Sequence, residues 1–364
     1  MRLAWRELVR RPGRFIVAGS ALTLLVILLL VLGGLLDGLT AASTGAYRSL
    51  GADVVVYSAE SRASLLRSRI EPEVRRAVEE LPGVLTADGI GVALVAGRVP
   101  DRAEPVDLAV FGYEAPTRSV PAPPAPGSGF ADRSLLEEGV RLGETIEVGP
   151  GRVPVRVIGW VEGTRYLAQP GLWVSGPTWR EILEAARPDA ALPPGVWQGL
   201  VVRGTGGAPQ LATEIRRTVP GVLALTLEQA ISRLPGVEAQ RTTFLQIIGV
   251  TLAVVGLVVA LFFALVVLER VGMLGMLKAL GASTRQLATG LVFQAVMVAG
   301  GALVVGGLAS AGLALFAPAG IPLELRPSRF AATAVAVVAA AAAGSALSFR
   351  RVARIDPASA VGGG

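Results

Sequence analysis

The sequence predicts a membrane protein: an α-helical four-span bundle with a large α+β extracytoplasmic domain inserted between spans one and two. Three observations predict it. Charge-free apolar runs cover Phe15–Leu36, Phe244–Leu268, Leu287–Phe316 and Phe330–Phe349. Each has about 20 residues or more, enough to cross a hydrocarbon layer of about 30 Å as a helix. A long polar, mixed stretch separates the first run from the other three, which lie in the last third of the chain. Arginine and lysine collect at 1–14, 269–286 and 350–364, the distribution that sets orientation in a membrane.

The chain begins with Arg2, Arg6, Arg10, Arg11 and Arg14, read as a cytoplasmic amphipathic helix over 1–14. Transmembrane helix 1 covers 15–36. Small residues follow at Ala41, Ala42 and Ser43, yet a cleaved signal has a core of about 7–15 residues. This longer run therefore reads as a retained anchor. The extracytoplasmic domain takes 37–243. Transmembrane helices 2, 3 and 4 cover 244–268, 287–316 and 330–349. A cytoplasmic segment, 269–286, carries Arg270, Lys278 and Arg285. An extracytoplasmic loop, 317–329, carries Arg326 and Arg329, and the tail 350–364 is cytoplasmic. Both termini then lie on the cytoplasmic side of a bacterial inner membrane.

Within the outer domain, Asp53–Ser58 reads as a strand from its β-branched residues. Arg62–Leu81 has helical spacing and stops at Pro82-Gly83. Ile90–Val99, Val106–Tyr113, Arg152–Val161 and Val222–Leu227 read as strands, and Trp179–Ala186 and Ala212–Thr218 as short helices. Pro116–Gly129 is a run of Pro, Ala, Gly and Ser, expected to be an exposed loop; an ordered extended arm is the alternative.

Hydrophobic residues make up 52% of the chain and charged ones 17%, against about 25% charged in soluble domains. There is no cysteine and no histidine. That excludes disulfides and thiol chemistry, and it removes the commonest general base and metal ligand. No catalytic, cofactor or metal residue is expected, and the formal charge of +6 reads as topology, not nucleic-acid binding. The spans carry no charge. Gln246 and Gln294 are their main polar residues, each read as a helix–helix hydrogen bond of about 1 kcal/mol. Gly34 with Gly38, and Ala302, Gly306 and Ser310, mark close helix approach, within the chain or at a dimer seam.

Between spans two and three, Met273, Met276, Leu277 and Leu280 fall at i, i+3, i+4 and i+7 on one helical face, with Glu269, Arg270, Lys278 and Arg285 outside that set. Gly281 is a stop, and Ser283 with Gln286 fits a capping box opening the next helix. The pattern alone leaves two readings open: a helix resting on lipid headgroups, or a knob for a groove on a cytoplasmic partner.

The run Glu269-Arg270-Val271-Gly272-Met273-Leu274-Gly275-Met276-Leu277-Lys278-Ala279-Leu280-Gly281-Ala282-Ser283 resembles the signature of MacB/FtsX-like ABC permeases, with the opening charged pair in a different order. Leu3–Leu8, Ala131–Gly163 and Arg351–Val361 resemble that family's start, outer strand pair and tail, so the resemblance covers the whole chain. In the tail, Asp356 before Pro357 also reads as a helix N-cap. The resemblance implies that Glu269, Arg270, Met273, Met276, Leu277, Lys278, Leu280 and Gly281 couple to an ATPase. A phosphate loop needs Gly-x-x-x-x-Gly-Lys-(Ser/Thr), whereas the single lysine, Lys278, follows Leu277. A separate ABC ATPase, two copies binding ATP and magnesium, is therefore implied beside a homodimer of this non-catalytic chain.

Asp37, Tyr47, Glu238, Arg241 and Gln246 are expected near the outer membrane boundary, either as water-facing groups at helix ends or as the ring of a cleft for an amphiphile. Relatives that export haem or glycolipid make a hydrophobic or amphipathic substrate the expectation. Without His, Cys or an outer-side Met, a haem iron would have only carboxylate or Tyr ligands. The alternative reading is a cell-division-type signalling permease that activates a cell-wall hydrolase without transport.

Overall fold

A computed structural model describes residues 12–100, 102–269, 276, 283–316 and 321–352. The chain divides into two compact units, one formed by the segments 1–38 and 241–364 and the other by 39–240.

The first unit is helical. Helices α1 (Pro12–Ser49), running into the second unit, and, later in the chain, Val237–Leu268, Thr284–Leu315 and Pro327–Val352 are each long and apolar enough to cross a membrane. Every helix outruns its charge-free core. A capped helix continues through polar residues until a breaker or cap ends it, so charge marks the lipid boundary and not the helix end. Val26, Leu29, Val255, Val259, Phe263, Ala299 and Val337 form the shared core. Leu24, Leu257, Leu261 and Leu308 stay exposed on other faces. A helix that is apolar all round, with only part of its surface covered, suits a lipid surround.

Small residues let these helices touch. A methyl on Gly306 would meet Val26 Cγ1 at 2.7 Å, and one on Gly344 would meet the Gly256 carbonyl oxygen at 2.4 Å. Gly34 and Gly38 lie under the segment 321–325: a methyl on Gly34 would touch Leu323, Leu325 and the Glu324 carbonyl, and one on Gly38 would collide with Pro322. Between intrachain packing and a dimer seam, these glycines and Gly306 take the first.

In the second unit the elements following α1 are β1 (Val54–Ser58), α2 (Pro72–Glu79), β2 (Val84–Arg98), β3 (Val106–Tyr113), β4 (Ser128–Asp132), β5 (Thr145–Val148), β6 (Val153–Val161), β7 (Gly171–Ser175), α3 (Gly176–Ala186), β8 (Gly199–Gly204), α4 (Ala208–Thr218), β9 (Val222–Thr226) and α5 (Leu227–Ser232). The three helices of the first unit that close the chain are then α6 (Val237–Leu268), α7 (Thr284–Leu315) and α8 (Pro327–Val352). The strand order is β3-β7-β4-β6-β5-β2-β8-β1-β9, and β2 also pairs with β3. Six strands thus close on themselves, and the long β2 leaves that ring to join an open sheet with β8, β1 and β9. Ile90–Gly97 face β3, while Val84–Ile90 face β8.

The ring encloses Val110, Leu135, Ile146, Val155 and Leu172. Two stacked indoles, Trp179 and Trp197, with centroids 5.4 Å apart, lie over a floor of glycines. A methyl on Gly91 would stand 2.0 Å from Trp179, one on Gly112 2.5 Å from it, and one on Gly89 2.3 Å from Trp197. Gly91 and Gly112 face each other across β2 and β3, so flat backbone on adjacent strands makes room for the rings.

Two expectations are corrected. Arg62–Leu81 is not one helix: Leu65–Arg67 is a single 3-10 turn, Ile70 bridges to Trp197, and α2 begins at Pro72 with Glu71 extended. A proline disfavours helix in the residue before it and is well placed at a first helical position. Pro116–Gly129 is an anchored arm. Val120 is buried, the Tyr113 hydroxyl donates to the Pro121 carbonyl at 2.9 Å, the Gly127 amide donates to Thr178 Oγ1 at 3.0 Å, and Ser128 and Gly129 open β4.

Candidate functional site: a bundle groove beside an ion pair

Of the expected ATPase-coupling residues, the structure describes Glu269 and Met276. The Glu269 amide continues the helix by donating to Leu265 at 3.1 Å. Met276 is helical and 66% exposed, an open apolar side chain on the face expected to meet a partner. Arg270, Met273, Leu277, Lys278, Leu280 and Gly281 lie outside the described residues, as do the segments 1–11 and 353–364. The capping box is present: the Gln286 amide donates to Ser283 Oγ at 3.2 Å and the Ser283 amide to Gln286 Oε1 at 3.1 Å. Two orphan amides at the start of α7 are thereby satisfied.

The expected boundary cluster separates into different environments. Asp37, on α1, forms a bidentate ion pair with Arg329 in the first turn of α8. Nε donates to Oδ2 at 2.8 Å and a terminal guanidinium nitrogen donates to Oδ1. The Arg329 stem crosses Gly33, where an added methyl would sit 3.1 Å from its Cδ. A methyl at position 33 would crowd that stem and make it give by a few tenths of an ångström. Beside this pair opens a groove of about 170 Å³ lined by Leu29 and Gly33 of α1, Ile248 and Leu252 of α6, and Arg329 and Thr333 of α8. It is an apolar slot with one ion pair at its edge, and it suits an aliphatic or aromatic body with a polar end.

Tyr47 does not ring a cleft. It is fully buried in the second unit, stacked on Tyr166 at 5.8 Å between centroids, with its hydroxyl 3.0 Å from that of Tyr57. The correction has a clear cause: the end of α1 carries apolar residues on one face, and Ala46, Tyr47 and Leu50 belong to the domain core. Glu238, Arg241 and Gln246 are exposed on α6. Arg329 is the site residue that sequence reasoning missed. The available signal was position: Asp37 follows span one and Arg329 precedes span four, so in an alternating topology both end on the same side.

The loop 163–168 is bound to α1 within the second unit. Arg165 accepts from the Ala46 amide at 2.9 Å, and the Leu167 and Ala168 amides donate to Ser43 and Ala42, each at 3.1 Å. Leu167 and Ala168 hold positive φ, 49° and 68°, a strained geometry for residues with a Cβ. Gly45 permits the approach, since a methyl there would lie 2.5 Å from the Gly163 carbonyl oxygen.

Four apolar helices and an inserted α+β domain thus define a polytopic membrane protein. Residues 246–357 match the family described as FtsX-like permease C-terminal. The full chain aligns with an uncharacterized ABC transporter permease of Mycobacterium tuberculosis, 28% identical over 99% of each chain. It also aligns with the putative hemin transport system permease protein HrtB of Staphylococcus epidermidis, 20% identical over 100% of each. Among solved structures, the periplasmic region of MacB from Actinobacillus actinomycetemcomitans aligns with 52% of this chain and 97% of its own, at 12% identity and a TM-score of 0.35.

Proposed function

We propose that this chain is the non-catalytic permease subunit of an ABC exporter in a bacterial cytoplasmic membrane, with both termini cytoplasmic and the inserted domain outside. Two copies pair, and a separate ATPase binds the segment 269–286. Nucleotide-driven closure of the ATPases tilts α6 and α7, which that segment joins, and the outer domains move with the bundle. A hydrophobic or amphipathic compound, received laterally in the groove beside Arg329, is then expelled. The FtsX-like match over 246–357 carries this reading, because it takes in the segment 269–286 and the helices on both sides of it. The exposed Met276 and the capping box that restarts the helix at Thr284 support it.

The chemistry narrows the cargo. HrtB is named for hemin transport, but all four tyrosines of this chain are at most 3% exposed, and Asp37 is taken by Arg329. An iron centre would find only other carboxylates, so recognition here rests on shape and apolar contact.

The test is mutational. In the full chain co-expressed with its ATPase, Leu277→Asp or Gly281→Asp is expected to abolish stimulated ATP hydrolysis while the chain stays inserted. Unchanged stimulation in both variants refutes the coupling role. Stimulation without movement of any amphiphile in vesicles, together with capture of a cell-wall hydrolase by the outer domain, turns the reading to signalling.

A further inference from the structure

The inserted domain holds a cavity that the transport reading does not use. It has a volume of about 180 Å³ and lies where the Leu65–Arg67 turn, the middle of β2 and the C-terminal end of α3 meet. Its floor is apolar, including Leu94 and Leu183, and Arg67, Arg69 and Arg187 stand around it with no acidic residue in the lining. Some arginines of this domain are matched with acids, such as Arg75 with Glu79 and Glu114, Arg133 with Glu162, and Arg203 with Asp88, so the feature of this cavity is three guanidinium groups gathered around one apolar floor. Among the described residues, Arg67, Arg69 and Arg187 have no ion pair. A second, independent observation comes from inside the cavity. Gln198 is 4% exposed, and its Oε1 is spent accepting from the Val92 amide at 2.6 Å. Its amide nitrogen donates to no acceptor among the described residues and is not sealed from solvent, so it is open to a ligand in the cavity.

We propose that this cavity binds a small organic anion: a carboxylate carried on an apolar group about the size of a phenyl ring. An apolar cavity of about 150 Å³ admits benzene, so one ring or a chain end of similar bulk fills this one against Leu94 and Leu183. The carboxylate then meets guanidinium groups suited to bidentate contact, and the Gln198 amide supplies a neutral donor. Because the arginines are exposed, their attraction is screened by salt, and the apolar contact must hold the rest. The inference stands apart from the transport reading and holds whether the chain exports or signals.

The experiment uses the full chain in lipid nanodiscs and fluorine NMR of para-trifluoromethylbenzoate, with the matching benzamide and benzylamine and inorganic phosphate as comparisons. The benzoate is expected to bind saturably and to weaken as salt rises. The amide and the amine are expected to bind at least about tenfold more weakly. The surface variant Arg67→Gln/Arg69→Gln/Arg187→Gln, with the fold checked by near-ultraviolet dichroism, is expected to lose about tenfold in benzoate affinity, the scale of three weak screened charge contacts. Ala186→Phe, which places a ring in the cavity, is expected to block binding. Equal affinity for the amine, unchanged benzoate binding in the triple variant, or inorganic phosphate matching the benzoate would each overturn the proposal.

Discussion

Removing one charge from the Asp37–Arg329 pair is expected to release the segment 321–326. That segment is held to α1 by three kinds of contact. The Glu324 amide donates to the Gly34 carbonyl at 3.1 Å, Leu323 and Leu325 pack over Gly34, and Arg329 grips Asp37 with two donors. The two charged side chains are 29% and 15% exposed, so water screens them only in part. A hydrogen bond to a charged group is worth about 1.5–3 kcal/mol net. Stranding the partner raises the cost and partial exposure lowers it, so Asp37→Asn or Arg329→Gln should cost about 1–3 kcal/mol locally. At about 1.4 kcal/mol per factor of ten, the opening equilibrium of the segment rises about 5- to 150-fold. Hydrogen exchange of the Glu324 amide in nanodiscs reads that change. In the double variant two neutral amides replace the ions and no charge is stranded, so its cost should fall short of the sum of the singles by about 1 kcal/mol or more. Exchange within about twofold of wild type in both singles, or strict additivity in the double, refutes the assignment of the pair as the clasp.

The other expectations lie in the inserted domain. Gly91→Ala pushes a methyl into Trp179, a ring fixed by its stack on Trp197, and should destabilise the domain by about 1–3 kcal/mol in urea unfolding followed by tryptophan fluorescence; an unchanged midpoint would show that the indoles shift freely. Gly45→Val should break the bonds between α1 and the loop 163–168 and speed exchange of the Leu167 and Ala168 amides; continued protection of both would refute the role given to that glycine. Burial raises the phenol pKa of Tyr57, Tyr113 and Tyr166, the last to about 12, against about 10 in an unfolded chain. The folded state therefore keeps these phenols neutral. Stability is unaffected by them below pH of about 10 and is lost as pH rises from there toward 12. Phenolate absorbance should then appear together with unfolding, and a separate step near pH 10 in the folded protein would contradict the burial.

Local signals account for what the sequence disclosed. The four apolar runs needed only composition and length, and the capping box only the pair Ser283 and Gln286. Val153–Val161 shows its strand through alternation, with Val153, Val155 and Val157 buried and Pro154, Arg156 and Ile158 exposed. Where short-range pattern conflicts with a neighbour's geometry, the reading failed: the spacing of Arg62–Leu81 resembles a helix, but Pro72 imposes a start in its middle. The strands at Ser128–Asp132, Gly171–Ser175 and Gly199–Gly204 escaped because they are short, glycine-containing and have no exposed residue. Alternation disappears in such strands.

The candidate site shows the same limit more sharply. The face expected of Met273, Met276, Leu277 and Leu280 can be read from the sequence because a helix repeats every 3.6 residues and keeps its message within two turns. The groove is illegible by that means, since Asp37 and Arg329 are 292 residues apart and no period links them. Topology does link them. With four crossings in alternation, the end of the first helix and the start of the fourth share a side. Asp37 at one and Arg329 at the other can then each lower the other's cost of leaving water. Gly33 eases the arrangement, because a residue without a side chain leaves the arginine stem uncrowded as it lies along α1 toward its acid. Opposite charges at same-side span ends, with a glycine one turn from one of them, therefore form a sequence signal for such clasps, which local periodicity cannot supply.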